Sequence, residues 1–255
     1  MPTPAHLNGA PCWIDLMTSD AEKAKSFYGE LFGWTFVAGD QEKYGGYITA
    51  SKNGKSVAGL MQKQENQAGM PDIWSTYLRT DDAAASAQAA ASHGGQVYME
   101  PMDVPEQGHM AMFGDATGAA VGIWQPREMT GFELTAEPGT AVWHELLAKE
   151  YDKAVKFYQD VFAWDTHVLS DSPEFRYTTL GEEDNARAGI MDAAGILPEG
   201  APSIWVVYFG VDDTDNAVER AVSMGASVVH PAEDSPHGRN ATLTDPTGAL
   251  FKIIA

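Results

Sequence analysis

Two phrases of the chain set an indole two residues before a carboxylate: Trp13-Ile14-Asp15 and Trp143-His144-Glu145. In an extended strand, residues i and i+2 share a face, so each phrase lays a flat aromatic surface beside an acid, with Met17 and Leu147 continuing the two faces. A carboxylate against an apolar wall needs a partner, because burying it unpaired costs free energy that ordinary packing avoids. Two chemistries follow. The acid can pair with a donor or cationic group on an organic ligand whose ring stacks on the indole, or it can act as a general base with a raised pKa. Asp15 and Glu145 are therefore the candidate catalytic residues.

Other chemistry is thinly represented. His144 falls on the opposite strand face from Glu145, and a one-residue slip would be needed to bring it to the same side. The remaining histidines, His6, His93, His109, His167, His230 and His237, fall in a tail, turns or strand ends without metal-ligand spacing. Cys12, the single cysteine, sits between Pro11 and Trp13 in an expected strand and reads as a small buried apolar residue; one cysteine excludes an internal disulfide framework. Asn53-Gly54-Lys55-Ser56 resembles the end of a phosphate loop, but Thr49 stands where that motif needs its first glycine, so a hairpin turn is the better reading.

Composition narrows the partners. Thirty-six acidic against sixteen basic residues give a net charge of −20, which argues against a nucleic-acid partner needing clustered Lys and Arg. No apolar run approaches membrane-spanning length, and no basic-then-apolar leader opens the chain, so a cytoplasmic protein with no membrane partner is expected.

The two Trp-x-acid phrases belong to a longer repeat. At a shift of 130 residues Trp13 meets Trp143, Leu16 meets Leu146, Phe27 and Tyr28 meet Phe157 and Tyr158, and Phe32 and Trp34 meet Phe162 and Trp164. Asp115, Thr117 and Gly118 meet Asp245, Thr247 and Gly248 at the same shift. Between these anchors the shift is 131, pairing Ile73-Trp74 with Ile204-Trp205 and Asp81-Asp82 with Asp212-Asp213. A period so long indicates two domains and not a solenoid. We assign them to residues 8–127 and 139–255, with a polar linker at 128–138 containing Gly131 and Pro138.

Each half divides again. Asp20 caps a segment in which Ala24, Phe27, Tyr28, Leu31 and Phe32 recur at helical spacing until Gly33. Strands are expected over 12–17, 35–37, 47–51 and 56–61, the last two joined through Asn53-Gly54. The order strand, helix, three strands then recurs from Ile73 to Trp124, and twice more in the second half. The fold class is α+β, with four βαβββ units in two domains.

The phrases from Asp20 to Trp34 and at Asp115-Ala-Thr-Gly118, and the fuller Asp245-Pro-Thr-Gly248, resemble the signature of the vicinal oxygen chelate superfamily, the fold of glyoxalases, bleomycin-resistance proteins and extradiol dioxygenases. The openings Gly9 to Leu16 and Gly139 to Leu146 resemble an actinobacterial subgroup of two-domain glyoxalase-like proteins. The resemblance implies that paired units curl their sheets into cupped pockets, and that catalytic members hold a divalent metal there as a Lewis acid. Carried over, the metal-ligand positions fall on Trp13 and Trp143 in the first strands, Ser75 and Val206 in the fifth, and Gly122 and Lys252 in the eighth. None is an imidazole, thiolate or carboxylate, so no metal or other cofactor is expected.

If the pocket face is inherited, Trp13, Asp15 and Met17 line one cup with Tyr77 and Trp124, while Trp143 and Glu145 line the other with Tyr208 and Lys252. The leading expectation is metal-independent binding of a small organic molecule, an aromatic or hydrophobic metabolite or drug, by a monomer or weak homodimer. The rival is a lyase, isomerase or dioxygenase, working through Asp15 or Glu145 or through a displaced divalent metal. A scaffold with collapsed pockets is the third class.

Overall fold

The computed structural model describes residues 7–255, so His6 lies outside the described residues. The first unit runs β1 (Pro11–Thr18), α1 (Ala21–Phe32), β2 (Thr35–Ala38), a one-turn α2 (Gln41–Tyr44), β3 (Ile48–Lys52) and β4 (Lys55–Gln62). The second comprises β5 (Ile73–Arg79), α3 (Ala83–Ser92), β6 (Gln96–Val104), β7 (Gly108–Gly114) and β8 (Ala120–Pro126). The Asp20 carboxylate accepts from the Lys23 amide at 3.0 Å and so closes the open N-terminus of α1. Asn53 and Gly54 both adopt positive φ, 52° and 75°, and join β3 to β4 as the hairpin the dipeptide predicts. The one-turn α2, absent from the sequence reading, is capped by Asp40 and closed by Gly45; it is too short to leave a periodic signal.

The second half repeats the scheme as β9 (Ala141–Ala148), α4 (Tyr151–Phe162), β10 (Thr166–Ser172), β11 (Phe175–Leu180), β12 (Ala188–Asp192), β13 (Ile204–Gly210), α5 (Thr214–Ser223), β14 (Ser227–Ser235), β15 (Gly238–Thr244) and β16 (Leu250–Ile254). Each half forms one eight-stranded mixed sheet, ordered β2-β3-β4-β1-β5-β8-β7-β6 and β10-β11-β12-β9-β13-β16-β15-β14. The opening strands of the two units pair antiparallel at the centre, β1 with β5 and β9 with β13. On either side the last strand of a unit lies parallel to its first. These are two tandem α+β domains of paired βαβββ units.

The helices pack across the halves. Phe27 and Phe32 of α1 lie against Phe251 and Phe209 of the second sheet, ring centroids 6.1 and 4.9 Å apart. Phe157 and Phe162 of α4 both lie 6.2 Å from Phe113 of the first. Polar bonds seal both contacts in the same pattern. The Tyr28 hydroxyl donates to Asp245 at 2.9 Å and receives the Trp74 indole N–H; Tyr158 donates to Asp115 at 2.9 Å and receives that of Trp205. Trp34 donates to the Gly139 carbonyl at 2.7 Å, and Trp164 to that of Gly9 at 2.8 Å. The aromatics of the repeat from Phe27 to Trp34 and from Phe157 to Trp164 are thus interdomain contacts.

The inner face of each sheet, carrying Ile14, Leu16, Leu60 and Leu78 in the first, is fully buried against these helices and the other half. Near the middle the sheets meet, with Thr76 Oγ1 3.2 Å from His144 Nδ1. The linker expected to be polar is packed: Phe132 and Leu134 are buried, Phe132 5.6 Å from Trp13, and the Phe132 amide donates to the Cys12 carbonyl at 2.9 Å. No described helix is long and apolar enough to cross a membrane.

Candidate functional site

The outer face of each sheet, which corresponds to the cup of the expected fold, carries the candidate residues, because alternation that sends Ile14 and Leu16 inward sends Trp13, Asp15 and Met17 outward. Across the central strands, Trp13 lies opposite Tyr77, and Tyr77 beside Gly122. The matching row in the second half reads Trp143, Tyr208, Lys252. Successive strand pairings therefore gather residues as far apart in sequence as Trp143 and Lys252 into one patch per half.

In the first cup Asp15 is 8% exposed and hydrogen-bonded by the hydroxyls of Tyr77 and Tyr47. Tyr47 in turn receives the Trp13 indole N–H at 2.8 Å. Burial raises the Asp15 carboxyl to about 7, the two phenolic donors offsetting part of that shift. Trp124 stands further out on the same face, its indole N–H donated to the Met129 carbonyl of the linker at 2.7 Å, while Met17 is partly buried. The linker thereby closes one side of this cup with Met129 and Phe132.

The second cup repeats the cluster and adds a cation. Trp143 donates to Tyr177 at 2.9 Å, Tyr177 to Glu145 at 3.0 Å, and Tyr208 to the other carboxylate oxygen at 2.7 Å. Lys252 Nζ lies 3.1 Å from that oxygen, 2.5 Å from the Tyr208 hydroxyl and 4.6 Å from the Tyr208 ring centre. Trp143 is more exposed than its buried counterpart Trp13. Burial and the Glu145 charge both hold the Tyr208 hydroxyl above its usual range.

Tyr47 and Tyr177 escaped the sequence reading although they obey the 130-residue shift. Both reach in from the strand pair beside β1 or β9, where counting along the opening strands does not lead. The signal that could have found them is glycine: Gly59 pairs with Asp15 and Gly189 with Glu145, and each tyrosine hydroxyl occupies the space where a Cβ on that glycine would stand.

The other candidates lie elsewhere. His144 is buried on the inner face, its pKa lowered to about 3 by burial, and faces Thr76 and Phe132. His109 lies at the sheet rim, 3.0 Å from Arg127 and 3.4 Å from Asp103. Cys12 is buried, which pushes its thiol up to about 12 and leaves it a poor nucleophile.

The donors at the metal-ligand positions do not suit a metal. Indole, glycine and hydroxyl stand there in the first cup; indole, valine and an ammonium group in the second. Among the described residues no three His, Cys, Asp or Glu come close enough to share a metal ion. In the second cup the Lys252 ammonium itself sits beside the carboxylate.

Comparison with known proteins agrees with this architecture. CFP32 of Mycobacterium bovis, provisionally described as a glyoxylase, is 38% identical over 249 residues, covering 96% of this chain and 94% of its own. The anthracycline biosynthesis protein DnrV of Streptomyces peucetius is 37% identical over 261 residues, covering 96% and 93%. Among solved structures, the Mn(II)-bound glyoxalase from Novosphingobium aromaticivorans superposes with a TM-score of 0.66 at 17% identity, over 97% of this chain and 82% of that one. The 2,3-dioxygenase LapB from Pseudomonas sp. KL28 gives 0.63 at 12%, over 98% and 93%. A family model matches twice, over residues 9–123 and 140–253, and the chain belongs to the Glyoxalase/Bleomycin resistance protein/Dioxygenase superfamily.

Proposed function

We propose that the chain binds a small organic molecule in its cups without a metal ion. The observation that carries this is the tryptophan–tyrosine–carboxylate–tyrosine cluster built twice, once on the outer face of each sheet. The half-buried Trp143 offers a ring face for stacking, and each cluster holds a hydrogen-bonded acid for a polar substituent. The Streptomyces peucetius relative is named for anthracycline biosynthesis.

One observation favours a second, catalytic reading. Asp15, held near pH 7, has the proton affinity of an efficient general acid or base, and a substrate proton delivered to its carboxylate could leave from the same group after rearrangement. Such chemistry is of the lyase or isomerase kind and needs no metal.

Tryptophan fluorescence of chelator-treated protein, titrated with a panel of aromatic metabolites, tests the binding proposal. Saturable quenching unaffected by chelator is expected; a panel with no saturable member in either cup would overturn it. Asp15→Asn and Glu145→Gln separate the readings: turnover of a bound compound that survives both substitutions excludes the carboxylate as base.

A further inference from the structure

The two cups share a base but not a wall. In the first, strand register continues the outer face from Gly122 to Met112 and Met99, and from Trp124 to Met110 and Met102. In the second the corresponding rows run from Lys252 to Thr242 and His230, and from Ile254 to Asn240 and Glu233. Four methionines in one half thus answer to threonine, histidine, asparagine and glutamate in the other. Met17 and Met61, paired across β1 and β4, and Met129 of the linker bring the first cup to seven of the chain's 11 methionines.

This wall is open. Met102 is 46% and Met99 40% exposed, while Met110 and Met112 are half-buried behind them. Apolar surface left in water on two adjacent strands is unfavourable unless a ligand or partner covers it. Methionine is suited to the former, since its unbranched thioether adapts to a flat ring and interacts favourably with it. Charge points the same way. Gly122 holds the place of Lys252, the groups bonded to Asp15 are phenol hydroxyls, and the cation on this face, Arg79 beside Trp124, is already paired with Asp81.

Resting on the proposal that the cups bind organic molecules, we propose that the first cup is specific for an uncharged fused-ring aromatic compound lying on Met99, Met102, Met110 and Met112, and that the second cup does not accept it. The two halves of the duplicated chain then serve different ligands.

The test uses the full chain and 9-anthracenemethanol, a neutral three-ring fluorophore, followed by fluorescence anisotropy. One site per chain is expected. Met110→Asn with Met112→Thr, which installs the residues of the second half, should weaken binding at least tenfold. Asn240→Ala with Thr242→Val should leave it within twofold. If the half-buried pair lowers the melting temperature, Met99→Ser with Met102→Ser, on exposed positions, gives the same reading with severalfold weakening. Two equal sites, or loss of binding with the second-cup variant alone, would overturn the specificity while leaving cup binding intact. Absence of saturable binding overturns it too, and the wider metabolite panel then decides separately whether either cup binds anything.

Discussion

Asp15 and Glu145 occupy one position of the repeat, yet their surroundings neutralise them differently. Asp15 meets tyrosine hydroxyls alone, and burial lifts it from 3.8 to about 7. The folded chain therefore keeps a proton that the unfolded chain releases between those values. Its contribution to stability is full below pH 4, declines as pH rises toward 7 and is constant beyond. Thermal melts of Asp15→Asn between pH 4 and 8 should show a shallower decline than the parent; an unchanged slope would contradict this. Glu145 instead meets Lys252, with side chains 6% and 14% exposed. Removing the cation strands a buried carboxylate, so Lys252→Met should cost on the order of 3 kcal/mol in urea unfolding. Adding Glu145→Gln to that variant should recover part of the loss.

Among the elements, the tyrosines are placed by glycines on neighbouring strands. Gly59→Ala would put a methyl group onto the Tyr47 hydroxyl and force it off Asp15. We expect a destabilisation of about 1–3 kcal/mol and an altered near-ultraviolet circular dichroism spectrum, whereas Gly69→Ala, with open space at its Cβ, should alter neither. Helices and strands were legible in the sequence because Asp20, Gly33 and Asn53-Gly54 punctuate regular periodicities. The faces of β1 and β9 were legible for the same reason. Tyr47 and Tyr177 were not, since they enter the cluster through pairing of β3 with β4 and of β11 with β12, a tertiary event that local periodicity does not encode. The buried linker was likewise hidden: Phe132 and Leu134 stand amid polar neighbours, and what covers them is β1 and the opposing half.

At the scale of the molecule, each half covers the inner face of the other. Phe27, Tyr28 and Phe32 project from the first half into the second, and Phe157, Tyr158 and Phe162 project back. A fragment of residues 8–127 would expose that face to water and should not persist as a folded monomer; sedimentation should find it unfolded or self-associated, and a well-folded monomer would contradict the reciprocal packing. The duplication also let the cups diverge, one acquiring a methionine wall and the other a lysine–glutamate pair, over bases that retain the same indole, phenols and acid. The proposed function requires that neither cup hold a metal ion. Elemental analysis after dialysis against Mn(II), Zn(II), Ni(II) and Fe(II), followed by exhaustive buffer exchange, tests that most directly. Well below one ion per chain is predicted; one or two tightly held ions per chain, lost on replacing Asp15 or Glu145, would contradict it.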